Sequence, residues 1–145
     1  MTVVSQEIQD DLSVAKKILS DKDVSIVLIK YKKIWKEKKG AGVKPIFDLI
    51  DEMGDEISEY VVGDRILGKA SAFLCRYANV KAVYSPQATK TAIAILILGG
   101  IPCQVDQMIP FIKNRDGTGL CPFENLLKDV EKPDVAYKII KEKTL

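Results

Sequence analysis

Residues 80–105 read VKAVYSPQATKTAIAILILGGIPCQV. Val80 to Tyr84 is a short aliphatic run of strand character. Ser85-Pro86 then has the form of a helix start, a serine cap with proline at the first helical position. An apolar helix runs from there to Leu98 and is stopped by Gly99-Gly100. Ile101 to Val105 is a further strand. Apolar strands spaced by helices imply an α/β sandwich with a mixed sheet.

The flanking sequence fits that frame. Residues 5–20 place Ile8, Leu12, Ala15 and Leu19 on one helical stripe, with Gln6, Asp10, Lys16 and Lys17 outside it. Val24 to Ile29 is a buried strand, Lys30 to Lys33 a turn, and Ile34 to Lys38 the return of a hairpin. Six of the ten residues from Lys30 to Lys39 are lysine, which marks an exposed edge that discourages sheet-to-sheet pairing. Gly40 to Pro45 is a loop, Ile46 to Met53 a helix ended near Gly54, and Asp55 to Gly63 a polar stretch without assignment. Asp64 is read as the cap of a helix reaching about Ala78. Residues 107–113 fit either a helical turn or extended chain, and one or two helices fill Pro122 to Lys143. No repeat or linker divides the chain, so residues 1–145 are expected to form a single domain. The expected architecture is a three-layer α/β sandwich, a mixed sheet of about five strands flanked by helices.

Composition narrows the partners. Of 145 residues, 22 are basic and 20 acidic, a net charge of +2, which argues against a nucleic-acid partner. The longest apolar run, Ala92 to Leu98, is too short to cross a bilayer. Cys75, Cys103 and Cys121 are widely spaced and odd in number, so reduced thiols and a cytoplasmic location are expected. The chain contains no histidine, the commonest general base and metal ligand. Neither a metal nor another cofactor is expected.

Two stretches gather candidate chemistry. On the helix read from Asp64, residues Arg65, Lys69 and Arg76 share a stripe. Arg65 and Lys69 fall in its first turns, where backbone N–H groups and the dipole favour anions. They fit a phosphate or carboxylate subsite, or equally structural ion pairs with Asp64 or Asp116. Residues 114–124 read NRDGTGLCPFE. Cys121 stands as a helix cap, followed by Pro122 and by Glu124 in a capping-box layout. A helix N-terminus lowers a thiol pKa from about 8.5 towards neutrality. Arg115 would lower it further, and Asp116 and Glu124 would oppose that. Cys121 is thus either a nucleophile served by a carboxylate or an inert buried thiol. Asn114, Arg115 and Asp116 offer amide, cation and carboxylate in succession, suited to a ligand with hydroxyls or phosphates, or to a self-satisfied turn. Cys75 and Cys103 lie in apolar patterns and read as core.

Gly42 through Pro45 (GVKP), Asp64 through Ala70 (DRILGKA), Tyr84-Ser85-Pro86 and Asn114 through Glu124 agree in order and spacing with one family. The chain resembles the domain-of-unknown-function family 1893, whose fold is cytidine-deaminase-like, over nearly all its length from residue 10. Deaminases hold zinc with H-x-E at one helix start and P-C-x-x-C at the next. Here those starts read DRI at 64–66 and SPQATK at 85–90, so Gln87 and Lys90 stand where the cysteines would be. The resemblance therefore implies a metal-free deaminase-like pocket for a nucleotide or related phosphorylated ligand. Lys44, Asp64, Arg65, Lys69, Ser85, Asn114 and Arg115 are expected to line it. Were the protein a thiol-dependent enzyme instead, Cys121 would be the nucleophile, with Asp116 or Glu124 handling the proton. A third expectation is a non-catalytic structural or partner-binding protein, and a homo-oligomer is compatible with all three.

Overall fold

The I-V-L-I run forms β1 (Ile26–Lys30), and it is buried on both faces. Ile26 and Leu28 point into one core, Val27 and Ile29 into another, as the two-residue period of a strand requires. The computed structural model of the protein describes residues 4–112 and 122–144. In it β1 pairs antiparallel with β2 (Lys33–Lys38) on one side and with β3 (Val61–Asp64) on the other. Then β3 and β4 (Ile66–Leu67) run parallel to β5 (Ala82–Thr89), which pairs parallel with β6 (Cys103–Ile109).

β3 and β4 are one interrupted strand. Val61 faces Ala82 and Ile66 faces Gln87, a common offset that sets Arg65 against Pro86. Proline has no N–H to give to a ladder, so the pairing breaks there. The Arg65 N–H goes instead to the Ser25 carbonyl, at 3.0 Å. The sheet is thus mixed, with β2 and β6 at its edges.

A single helix, α1 (Gln6–Asp21), covers one face, burying Leu12, Ala15 and Leu19 against Val27, Ile29, Val61 and Tyr84. The close approach is possible because Gly63 lies beneath it; a Cβ there would meet Ala15 at 3.0 Å and Val27 at 2.9 Å. The other face carries α2 (Lys44–Met53), α3 (Lys69–Ala78), α4 (Lys90–Leu98) and α6 (Pro133–Thr144), with short α5 (Pro122–Leu126) beside α3. The expected three-layer α/β sandwich is therefore the observed architecture. No helix of the described residues is long and apolar enough to cross a membrane.

Three boundaries differ from the sequence expectation, each for a local reason. The unassigned stretch before Asp64 contains a 3-10 turn (Gly54–Glu59) and β3, a fully buried central strand. Asp64 ends that strand rather than capping a helix, and α3 begins five residues later at Lys69. Ser85-Pro86 lies inside β5, and α4 starts at Lys90 with Thr89 as its cap, Oγ1 accepting from the Ala92 N–H at 3.1 Å. The stretch after Val105 is extended as far as Ile109.

The β1–β2 turn is strained. Tyr31 and Lys32 both have positive φ, 53° and 63°, and neither is glycine. The buried Asp11 of α1 secures the turn by accepting the Lys32 N–H at 2.8 Å. Replacing Tyr31-Lys32 with Asn-Gly, the pair that suits such a turn, is expected to stabilise the protein by about 1 kcal/mol. Chemical denaturation measures it.

Candidate functional site

Leu67 pairs with Ala88, so the chain leaves adjacent strands side by side. Gly68 leads into α3 and Thr89 into α4, and the two helices pack together. Two helix N-termini therefore open at the carboxyl ends of neighbouring parallel strands, where α/β sheets commonly place ligands.

The first turn of α3 is held from two directions. The Glu124 carboxylate accepts the Lys69 N–H at 3.1 Å and the Ala70 N–H at 3.4 Å. It caps α3, across 55 residues, rather than its own helix. Gly68 makes room for it, since a Cβ there would collide with Glu124 Oε1 and Ile112 Cδ1. Burial raises the Glu124 pKa, while the two amides and the Lys69 charge pull it down. Lys69 Nζ donates to the Lys128 carbonyl at 2.9 Å, tying α3 to the turn that follows α5.

Asp64 approaches the same turn from the sheet side. It is buried, and burial lifts its pKa to about 7 against the pull of the Ser71 side chain and the Ile66 backbone. The carboxyl thus exchanges its proton near neutrality, a property that suits proton handling. Cys75, a turn further along α3, is pushed up by burial and then by the Asp64 charge, so it is an unreactive core thiol. Burial also raises the Cys103 thiol.

The remaining expected site residues separate. Arg65 lies at the break between β3 and β4, not on α3, and its guanidinium turns towards the end of α1. Nε donates to the Val24 carbonyl at 2.9 Å, and one terminal nitrogen to those of Leu19 and Lys22, each at 2.8 Å. Ser85 lies in β5, fully buried, and not at a helix start. Its hydroxyl donates to the Gln87 carbonyl at 2.7 Å and accepts the Gln87 N–H, patching the ladder around Pro86. Lys44 opens α2 and pairs within that helix with Asp48 at 3.2 Å. Asn114, Arg115, Asp116 and Cys121 lie outside the described residues.

The structure thus brings together Asp64, Lys69 and Glu124, and adds three residues that the sequence reading did not place there. Ser71 faces Asp64, and α4 starts with the buried cap Thr89 and the exposed Lys90. Thr89 carried a findable signal, a hydroxyl residue just ahead of the apolar run. Among the described residues no three His, Cys, Asp or Glu side chains are grouped to hold a metal ion.

These features define a class, an α/β domain with a mixed open sheet whose parallel strands end beside paired helix starts. The family described as "Domain of unknown function (DUF1893)" matches residues 14–144, and the chain belongs to that family. It is similar to a crystal structure of a DUF1893 family protein, TM1506, from Thermotoga maritima. That match has a TM-score of 0.85 and 27% identity, and covers 97% of this chain and 92% of the other. A weaker likeness, to RibD of Acinetobacter baumannii, has a TM-score of 0.47 and 16% identity, and covers 69% of this chain and 34% of that one. No curated protein matches the chain in sequence.

Proposed function

We propose that the protein binds a nucleotide or related phosphorylated ligand through its phosphate, in a deaminase-like, zinc-free pocket where α3 and α4 begin. The observation that carries this reading is the carboxylate of Glu124 across the first amides of α3. That helix start already holds an anionic group, and burial penalises the charge of the group it holds. A ligand phosphate that displaced Glu124 would return the carboxylate to water. Lys69 and the exposed Lys90 would neutralise the phosphate, and the protonated form of Asp64 would offer a hydrogen bond. The protein would act in the cytoplasm, where unpaired thiols persist.

Thermal shifts with inorganic phosphate, ADP, adenosine and ribose 5-phosphate test this. Phosphorylated ligands should stabilise the protein saturably, and adenosine should not. Glu124→Gln removes a competing charge and should tighten phosphate binding by about fivefold, or about 1 kcal/mol. Lys90→Ala should weaken it. Indifference of the protein to all four ligands, or equal affinities in parent and Glu124→Gln, would reject the reading.

A further inference from the structure

We propose that the edge of β6 and the outer face of α4 together form the interface at which two copies of this chain associate about a two-fold axis.

The two edges of the sheet are built differently. β2, at one edge, reads KIWKEK, and lysines along an edge deter strand pairing. β6, at the other, reads CQVDQMI, and its one strand partner among the described residues is β5. Its single charge, Asp106, is drawn inward to the Tyr84 hydroxyl and to Lys16 of α1. β2 carries four charges and β6 only Asp106, so the β6 edge is the less guarded of the two.

α4 supplies the second observation. It reads KTAIAILIL and is apolar nearly all round, a pattern normally found in covered helices. Ala92, Ile95 and Leu96 are buried, but Ile97 is 63% and Leu98 80% exposed. Ala94, Ile97 and Leu98 follow helical spacing, so they form one outward stripe. Because α4 packs on α3 and over β5 and β6, that stripe looks out past the β6 edge. Met108, 58% exposed, extends the apolar surface along the strand itself.

The wall fits a second copy. A two-fold axis sets one β6 antiparallel to the other, so the N–H and C=O groups of each edge meet their counterparts. It also lays α4 against its mate. Apart from Lys90 at the rim, Asp106 is the wall's one charge; it is the middle residue of β6, so full overlap would set it against its mate, and the two strands must pair in a register offset from it. An acidic or basic partner would find no countercharge here. The seven residues of β6 span about 23 Å and the nine of α4 about 14 Å. A footprint of at most that length belongs to the smaller specific interfaces, so the dimer should be one that dissociates on dilution.

Sedimentation velocity on the full chain from about 1 to 200 µM tests the proposal, since mass action makes association visible across that range. The parent protein should shift from monomer to dimer. The double variant Ile97→Glu/Leu98→Glu should remain monomeric throughout, with an unchanged far-UV spectrum. Met108→Lys on the strand should weaken association at least tenfold, and it serves alone if the double variant does not fold. Trp35→Glu, at an exposed residue of the opposite edge, should leave the dimer intact. A parent chain monomeric at the highest concentration overturns the proposal, even if it binds another protein or a lipid surface. So does a dimer that survives in the folded double variant or in Met108→Lys, or one that Trp35→Glu dissolves.

Discussion

At pH 8, Asp64→Asn should melt above the parent protein, and at pH 4 the two should melt together. In the unfolded chain the Asp64 carboxyl loses its proton near 3.8, whereas in the folded protein burial holds the proton to about 7. Between those values the folded state binds more protons than the unfolded one, so stability falls as pH rises. The penalty is absent below 3.8 and complete above 7. The gap corresponds to about 4 kcal/mol, and solvent relaxation around the ionised group reduces the expected effect to about 2–3 kcal/mol. For a chain of this size that is roughly 5–10 °C in Tm. Asparagine carries no titratable proton and keeps an oxygen that accepts from the Ser71 side chain and the Ile66 N–H, so the variant should lack this fall in stability across the window. Parallel melting profiles for the two proteins from pH 4 to pH 8 would show that Asp64 ionises normally inside the fold.

Arg65→Met should lower stability by about 3 kcal/mol, or roughly 10 °C in Tm. The guanidinium joins the carbonyls of Leu19 and Lys22, at the end of α1, to that of Val24 before β1. Helix ends leave such carbonyls without partners, and a cation near a C-terminus also meets the favourable end of the dipole. Methionine keeps the stem and removes the donors. Arg65→Lys should recover only part of the loss, because an ammonium cannot reproduce the planar fork. A ligand-binding arginine would behave differently, its replacement leaving the ligand-free protein unmoved. Differential scanning fluorimetry without ligand distinguishes the two roles.

Legibility in the sequence followed the range of the interactions. The stripe of Leu12, Ala15 and Leu19 and the run Ile26 to Ile29 are local patterns, and both elements stand where those patterns put them. β3 is central yet went unread, since Val61-Val62 is followed at once by Gly63 and Asp64, residues that look like a turn. Asp64 resembled a cap because carboxylates favour that position, but the strand continues through it to the break opposite Pro86. Ser85-Pro86 was equally persuasive locally, and Thr89 three residues on is the true cap. At the site, Glu124 was legible as a polar residue of interest but not as the cap of a helix 55 residues away. Nor does anything near Arg65 in sequence reveal that its partners belong to α1.

One consequence concerns how the chain is made. α1 is the sole cover of one sheet face among the described residues, and it rests on β1, β3 and β5. It is synthesised first, yet β5 is complete only at Thr89. At a translation rate of about 5–20 residues per second, Leu12 and Leu19 wait roughly 3–14 s for the last of their partners to emerge. During that interval β1 and β3 can cover only part of the greasy ridge, and a product cut short before Ala82 lacks the rest of its cover.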